Sequence, residues 1–99
     1  MPGKLIYFDL GGRAEGIRML LSHAGHDYED CSVTYETFSN MRSDNELPLG
    51  SLPIWEEEGF TMVQSSSILR MLGIRLEYYA TDPIQCWAID SIIDFIEGL

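Results

Sequence analysis

Polar side chains that suit an anion stand where a helix is predicted to begin. Gln64 and Ser65 directly precede an apolar helical stripe formed by Ile68, Leu69 and Leu72. The first backbone N–H groups of a helix have no partner within the helix, and a hydroxyl and an amide beside them favour an anion such as a carboxylate. In the alternative interpretation, Ser65 only caps its own helix, and the two roles can coexist.

The histidines and cysteines do not form a recognisable metal or redox motif. His23 and His26 flank the end of a predicted helix without a carboxylate or cysteine at ligand spacing, so we expect no metal site. Cys31 and Cys86 are far apart and lack the CxxC spacing. This cysteine usage fits a reducing compartment.

The chain is strongly acidic. Sixteen Asp and Glu residues against six Lys and Arg residues give a formal charge of -10 in a chain of 99 residues. Such a charge repels phosphate backbones and anionic lipid, so we expect no nucleic-acid partner. The first residues lack a secretory pattern, and no stretch reaches the length of a membrane span. The sequence therefore predicts one globular, soluble, cytoplasmic unit with no membrane span.

The hydrophobic pattern predicts the element order βαβαββα, followed by one more helix. Strands are predicted over 4–9, 28–34, 53–56 and 60–63, and helices over 13–24, 65–72 and 83–97. The polar stretch 36–47 predicts at best a short or irregular helix. Gly25 and Gly73 are predicted to end two of the helices, and Asp82–Pro83 to begin the last. The first two strands would pair in parallel through the helical crossover, and the last two would form a hairpin.

The predicted helix 83–97 is apolar around most of its circumference. Only Asp90, Asp94 and Glu97 form a narrow acidic ridge, which we expect to face water. Trp87 and Phe95 are expected to remain uncovered by the preceding elements. The pattern predicts that the rest of a longer chain, a second copy or a foreign partner covers this helix.

Four motifs in register resemble the amino-terminal domain of a cytosolic glutathione transferase, of the sigma-like tyrosine type. They are Tyr7 in the first strand, GRAEGIR at 12–18, LPLGSLPIW at 47–55 and QSSSILRMLG at 64–73. The resemblance implies an α/β, thioredoxin-like βαβαββα domain with a four-stranded mixed sheet. It also implies a glutathione-binding domain at 1–75, a linker at 76–82, and the start of an all-helical domain at 83–99.

The resemblance implies an enzyme that binds glutathione as substrate and activates its thiol for attack on an electrophile. Tyr7 is then the catalytic residue, because a protonated phenol can donate a hydrogen bond to the thiolate. A hydrogen bond to a charged group is worth about 1.5–3 kcal/mol, which corresponds to roughly one to two pKa units. In the alternative interpretation, Tyr7 only packs its ring in the sheet.

The resemblance assigns the ligand's backbone and one carboxylate to the two motifs around the hairpin. Leu52 would pair its backbone with the cysteinyl backbone of glutathione, after a cis bond to Pro53. Gln64 and Ser65 would hold the γ-glutamyl carboxylate. For Pro53 the alternative is an ordinary proline at the start of a strand.

Five other positions either imply further contacts or depart from the pattern of the relatives. Arg13 would favour the thiolate through its charge, or else remain a solvated residue at the helix start. Arg42 would hold the glycyl carboxylate, while Phe38 stands where relatives have an indole donor and Ser51 where they have a basic residue. Asp90 would reach across a dimer to the ligand's amino group in a partner subunit, or else lie on an exposed ridge.

Two readings of the function follow. The first is a glutathione transferase, in a homodimer or with a partner subunit covering helix 83–97. The alternative is a non-catalytic, transferase-derived structural or binding module within a larger assembly, because the chain reaches only one helix into the second domain. Thiol–disulfide chemistry is disfavoured, since Gly11–Gly12 stand where such enzymes need a cysteine.

Overall fold

A four-stranded mixed sheet organises the chain in the computed structural model, which describes residues 3–98. The strands are β1 (Gly3–Phe8), β2 (Tyr28–Val33), β3 (Ile54–Glu57) and β4 (Phe60–Val63). Their order is β2-β1-β3-β4. β1 pairs in parallel with β2 and antiparallel with β3, and β3 and β4 form the hairpin. The predicted α/β fold with a mixed sheet is confirmed.

Four α-helices accompany the sheet within the described residues. They are α1 (Glu15–His23), α2 (Tyr35–Ser43), α3 (Ser65–Arg75) and α4 (Pro83–Glu97), with a 3-10 turn at Gly12–Ala14 before α1. No helix among residues 3–98 is both long enough and apolar enough to cross a bilayer. The predicted ranges 1–75 and 83–99 include residues 1, 2 and 99, which lie outside the described residues.

The stretch after β2 forms a regular helix of nine residues, and not an irregular one. The Thr34 hydroxyl accepts a hydrogen bond from the Thr37 N–H at 3.1 Å and so caps the first turn. Phe38 and Met41 lie three residues apart and pack, partly buried, against the core. The Thr34 cap and the apolar pair Phe38 and Met41 are thus enough to form α2 and pack it against the core.

The prediction that Gly73 ends α3 is wrong, because the helix continues through it to Arg75. Gly73 is buried, and its carbonyl accepts hydrogen bonds from the N–H groups of Tyr78 and Tyr79 at 2.7 and 3.1 Å. The left-handed conformation that closes such a helix end is taken instead by Glu77, with φ of 65°. Gly73 therefore supports the segment that follows α3.

The core is built around Trp55, which is fully buried on β3. A Cβ atom at Gly3 would lie 2.0 Å from the Trp55 ring, so only glycine fits opposite this side chain. The Trp55 indole N–H donates to Glu57 at 2.6 Å, and Arg75 donates to the same carboxylate. Burial of large apolar side chains, each worth about 1.5–3 kcal/mol, stabilises the sheet against α1 and α3. The other fully buried large residues are Leu5, Ile17, Leu21, Ile68 and Leu72.

Helix α4 packs on the preceding elements through Asp90 and Glu97, two of the three residues of its acidic ridge, so the prediction that the ridge faces water is wrong for these two. Asp94 is 67% exposed, as predicted. Arg70 on α3 donates to Asp90 at 2.8 Å and to Asp94 at 2.6 Å. The apolar side faces outward, and Trp87 and Phe95 are 67% and 71% exposed, as predicted. Asp90 and Glu97 turn inward because Arg70 and Arg13 supply their counter-charges.

Candidate functional site

Tyr7 lies near the carboxyl end of β1, with its ring buried and its hydroxyl next to the turn that leads into α1. The hydroxyl oxygen accepts a hydrogen bond from the Arg13 N–H at 3.2 Å. Gly12 has a φ of 50°, and a Cβ atom there would lie 2.6 Å from the hydroxyl oxygen. Within residues 3–98 the hydroxyl proton has no acceptor. Tyr7 can therefore donate to a bound group.

The Leu52–Pro53 peptide bond is cis, as the resemblance implied. Leu52 and Pro53 are buried and line a cavity of about 300 Å³. Its other lining residues are Arg13, Ser51, Gln64 and Ser65. Residues from three of the four sequence motifs thus meet around one cavity.

The start of α3 differs by one residue from the prediction, because Gln64 and not Ser65 is the N-cap residue. Gln64 has φ of 73° and ψ of 107°, a sparsely populated conformation for a residue with a side chain, which typically costs of order 1–3 kcal/mol. No side chain caps this helix, so the interpretation of Ser65 as a simple cap is wrong. The first N–H groups of α3 are left for another acceptor.

Glu97 on α4 is a site residue that the motifs did not indicate. Its carboxylate forms an ion pair with Arg13 and accepts a hydrogen bond from the Ser65 hydroxyl at 2.6 Å. These three side chains also line a second cavity, of about 360 Å³, between α1, α3 and α4, together with Tyr7. Arg13 and Ser65 line both cavities, so Glu97 lies where they adjoin.

Arg18 is a second residue that the sequence patterns missed. Its guanidinium donates to the carbonyls of Leu10 at 2.6 Å and Phe8 at 3.1 Å, and lies 5.8 Å from the centre of the Tyr7 ring. Asp30 on β2 forms an ion pair with it. Arg18 therefore fixes the turn that places the Tyr7 hydroxyl. It is the last residue of the GRAEGIR motif at 12–18, but the motif gave no sign of a role beyond that of an ordinary helical arginine.

Phe38, Arg42 and Asp90 line neither cavity within the described residues. Phe38 packs edge-on against Phe8, with ring centres 5.3 Å apart. Arg42 is exposed, and its Nε lies 3.9 Å from where a Cβ atom of Gly50 would be. The structure therefore does not bring these three to the cluster formed by Tyr7, Arg13, Leu52, Pro53, Gln64 and Ser65.

Asp90 belongs to a separate cluster between α3, α4 and the segment that joins them. The Tyr79 hydroxyl donates to its carboxylate at 2.5 Å, and Arg70 binds the same oxygen. The Tyr79 hydroxyl, and then Arg70, hold the pKa of Asp90 below its ordinary value. In return, the hydrogen bond to Asp90 raises the pKa of Tyr79 to about 12. This cluster attaches α4 and lies apart from the cavities.

The cluster formed by Tyr7, Arg13, Leu52, Pro53, Gln64 and Ser65 offers three chemical functions. The Tyr7 hydroxyl can donate one hydrogen bond, the start of α3 can hold an anion, and the cis Leu52–Pro53 segment lines a cavity together with Gln64 and Ser65 at the start of α3. The positive charge of Arg13 is balanced by Glu97. Residues 3–98 contain no group of three or more His, Cys, Asp and Glu side chains placed to hold a metal ion.

Residues 3–73 match the sequence family described as "Glutathione S-transferase, N-terminal domain". Human glutathione S-transferase P is 33% identical over 98 residues, which are 99% of this chain and 47% of that protein. Glutathione S-transferase 2 of Caenorhabditis elegans is 37% identical over 94 residues, 95% of this chain and 49% of that protein. The chain thus spans about half the length of these curated relatives.

The same likeness holds in three dimensions. The crystal structure of monomeric Na-GST-3, a glutathione S-transferase from the hookworm Necator americanus, matches with a TM-score of 0.89 and 33% identity. The match covers 99% of this chain and 47% of that one. The chain belongs to the glutathione S-transferase family and contains its N-terminal domain.

Proposed function

We propose that this chain forms the glutathione-binding part of a glutathione transferase of the sigma-like tyrosine type. The proposed reaction is addition of the glutathione thiolate to an electrophile. The observation that carries the proposal is the Tyr7 hydroxyl, which is fixed by the Arg13 N–H and keeps its own proton for a ligand. Tyr7 and Ser65 line one cavity, and Ser65 and the cis proline line the adjoining one.

Each part of the cluster has a defined role in this proposal. The γ-glutamyl carboxylate binds the unpaired N–H groups at the start of α3, beside Gln64. Leu52 pairs with the cysteinyl backbone of the ligand, as an added strand would. Tyr7 donates to the ligand sulfur and favours the thiolate, the nucleophilic form. Since Glu97 balances the charge of Arg13, the hydroxyl is the main stabilising group.

The three residues outside the cluster receive different roles. We propose that Arg42 holds the glycyl carboxylate, which its proximity to Gly50, just before the Leu52–Pro53 segment, supports. For Phe38 we propose packing against the ring of Phe8 and no polar contact. Asp90 would have to break its hydrogen bonds to Tyr79 and Arg70 to reach a ligand in a partner subunit. We therefore propose that Asp90 attaches α4.

The proposed domain division is a glutathione-binding domain at 1–75, a linker at 76–82 and the start of a helical domain at 83–99. The exposed Trp87 and Phe95 support a neighbour on α4, either a further helical part of the protein or a partner subunit in a dimer. Cys31 and Cys86 are free, which agrees with a cytoplasmic location. The same exposed face favours the second candidate, a non-catalytic binding module within an assembly.

The test is retention of the full chain on immobilised glutathione, with elution by free glutathione, and an assay of conjugation to a generic aryl halide. We expect retention and turnover, with turnover reduced in Tyr7→Phe and retention unchanged. Retention of the wild-type protein without turnover would favour the binding module. If the protein shows no retention and no turnover, the proposed function is rejected.

A further inference from the structure

Arg18 on α1 connects the turn after β1 to strand β2. Its guanidinium donates to the carbonyl oxygens of Leu10 at 2.6 Å and Phe8 at 3.1 Å. The nitrogen that binds Phe8 also donates to the Asp30 carboxylate at 3.3 Å, and Nε lies 3.2 Å from the second oxygen of that carboxylate. The Arg18 side chain is only 18% exposed. Because a guanidinium is planar and carries its N–H groups in fixed directions, these contacts together fix its position.

The turn that Arg18 holds is the one that joins the two partners of the Tyr7 hydrogen bond. Tyr7 lies just before the turn, and the Arg13 N–H that binds its hydroxyl lies just after it. Within the turn, the Leu10 N–H donates to the Phe8 carbonyl at 2.9 Å, but the Leu10 side chain is exposed and adds little packing. The contacts of Arg18 with the two carbonyls therefore determine where the Arg13 N–H lies.

The same guanidinium also lies over the Tyr7 ring, 5.8 Å from its centre, where a cation is attracted to an aromatic face. Tyr7 is paired with Ser32 on β2, and Asp30 lies two residues before Ser32. Side chains two residues apart on a strand share one face of the sheet, so Asp30 and Tyr7 lie on the same face. Arg18 thus joins the carboxylate, the ring and the turn.

We propose that Asp30 and Arg18 form a positioning pair for Tyr7. The carboxylate orients the guanidinium, and the guanidinium sets the turn and the ring so that the Tyr7 hydroxyl points at the bound thiol. The inference rests on the proposed function and deepens it, because it adds a determinant of thiol activation on β2. Among the described residues, neither Arg18 nor Asp30 lines either cavity, so both act through Tyr7 and not on the ligand.

The test measures the pKa of the thiol of bound glutathione by ultraviolet titration, and kcat and KM for conjugation, on the full chain. Asp30→Asn keeps the size of the side chain and removes its charge. We expect the thiolate fraction and kcat to fall about three- to tenfold, which corresponds to a rise of about 0.5–1 unit in the thiol pKa. KM should stay within about twofold, because the ligand contacts are unchanged. Arg18→Met, which removes every N–H of the guanidinium, should have at least this effect.

Double variants test whether the pair acts through Tyr7. In a Tyr7→Phe background, Arg18→Met should raise the thiol pKa no further, because no hydroxyl is left to position. In an Arg18→Met background, Asp30→Asn should add nothing. Additive effects in both backgrounds would reject the inference. Asp30→Glu keeps the charge, and its thiol pKa should lie closer to that of the wild-type protein than the pKa in Asp30→Asn.

The ion pair between Arg75 and Glu57 provides a matched control. Arg75→Met also removes a guanidinium that binds a carboxylate on a strand, at 2.8 Å, but this pair joins α3 to β3. The variant should lower the urea midpoint of unfolding without raising the thiol pKa. If it raises the thiol pKa as much as Arg18→Met does, general loosening of the fold explains the effect and the positioning role is rejected.

The outcomes separate this inference from the proposed function. If the wild-type protein binds no glutathione, the proposed function fails and the inference fails with it. If Tyr7→Phe raises the thiol pKa but Asp30→Asn and Arg18→Met do not, the proposed function stands and the positioning pair is rejected. A thermal melt shows which variants fold. Asp30→Asn is the milder substitution and decides the matter by itself if Arg18→Met does not fold.

Discussion

The Arg13 N–H donates to the Tyr7 hydroxyl at 3.2 Å, although the side chain of Arg13 turns away to pair with Glu97. Arg13 therefore acts on Tyr7 through its backbone. The bond uses a lone pair of the phenol oxygen and leaves the proton directed to a ligand. The geometry of the 3-10 turn, more than the charge of the arginine, prepares the hydroxyl.

Tyr7→Phe should leave the affinity for glutathione nearly unchanged, because the carboxylate contacts are elsewhere. The pKa of the bound thiol should rise by about one to two units, the worth of one charged hydrogen bond. Ultraviolet titration of the bound thiolate measures this. Tyr35→Phe, on an exposed ring, is the control. An unchanged thiol pKa in Tyr7→Phe would remove Tyr7 from the mechanism.

Gly12→Ala should impair the site more than Gly25→Ala. Both glycines have a positive φ, 50° and 65°, so alanine is strained at each. At Gly12 the new Cβ atom would also lie 2.6 Å from the Tyr7 hydroxyl oxygen, while at Gly25 it would meet nothing within 4 Å. We expect a loss of stability in urea for both variants, larger in Gly12→Ala because of the added clash, and a raised pKa of the bound thiol only in Gly12→Ala. Equal thiol pKa values would show that Gly12 does not set the hydroxyl position.

Gln64→Gly should keep or increase the stability of the fold while weakening glutathione binding. Release of the strain at φ of 73°, of order 1–3 kcal/mol, offsets the greater entropy of glycine in the unfolded chain. The lost amide removes a ligand contact. Asn45→Gly, at φ of 57° in an exposed loop, is the matched control and should leave affinity unchanged. A large loss of stability in Gln64→Gly would contradict the prediction.

The attachment of α4 should weaken at both extremes of pH. Asp90 has a lowered pKa, so its contribution to stability is present above its ordinary value of 3.8 and is lost as the pH falls through the lower folded value. Tyr79 has a pKa raised from 10.0 to about 12, so its contribution is present below pH 10.0 and is lost as the pH rises towards about 12. Between these limits the contact is intact.

Ultraviolet titration of tyrosinate tests this contact. Burial also raises the pKa of Tyr28, so the comparison is between variants. In Asp90→Asn, the pKa of Tyr79 should return from about 12 towards 10.0. Asp94→Asn removes a neighbouring carboxylate that binds Arg70 only. This variant should leave the raised pKa of Tyr79 unchanged. If both variants titrate like the wild-type protein, Tyr79 does not depend on Asp90.

Residues 1–99 by themselves should self-associate at micromolar concentration. Burying side chains such as Trp87 and Phe95, 67% and 71% exposed, is worth about 1.5–3 kcal/mol each. Replacing both with glutamate should shift sedimentation towards the monomer, whereas Met19→Glu, exposed on α1, should not. A folded, monodisperse wild-type monomer without dye-accessible apolar surface would refute the prediction.

Local patterns predicted most elements because strands and helices follow the spacing of apolar residues, but they did not reveal tertiary partners. Gly73 was predicted to end a helix, but its carbonyl accepts hydrogen bonds from the N–H groups of Tyr78 and Tyr79, which follow the helix. The ridge on α4 looked like a solvated face. Its counter-charge Arg70 lies 20 residues before Asp90, a relation that periodicity does not show.

The site was predictable where the backbone itself forms it. The cis bond before Pro53 was implied by the family resemblance, the start of α3 was predicted to within one residue, and Tyr7 is placed by the strand register. Glu97 lies 84 residues from Arg13, so no motif links them. The role of Arg18 was not predicted from the sequence because it depends on the carbonyls that the guanidinium contacts after folding.

The central position of β1 also limits the order in which the sheet can be assembled during synthesis. β1 can pair with β2 as soon as residue 33 is available, but its other edge must wait for Ile54. A nascent chain that ends between these points exposes unpaired N–H and C=O groups beside the Tyr7 strand. Such an edge is a template for pairing with other chains. Until the hairpin emerges, this edge of β1 is therefore the part of the nascent sheet most open to pairing with another chain.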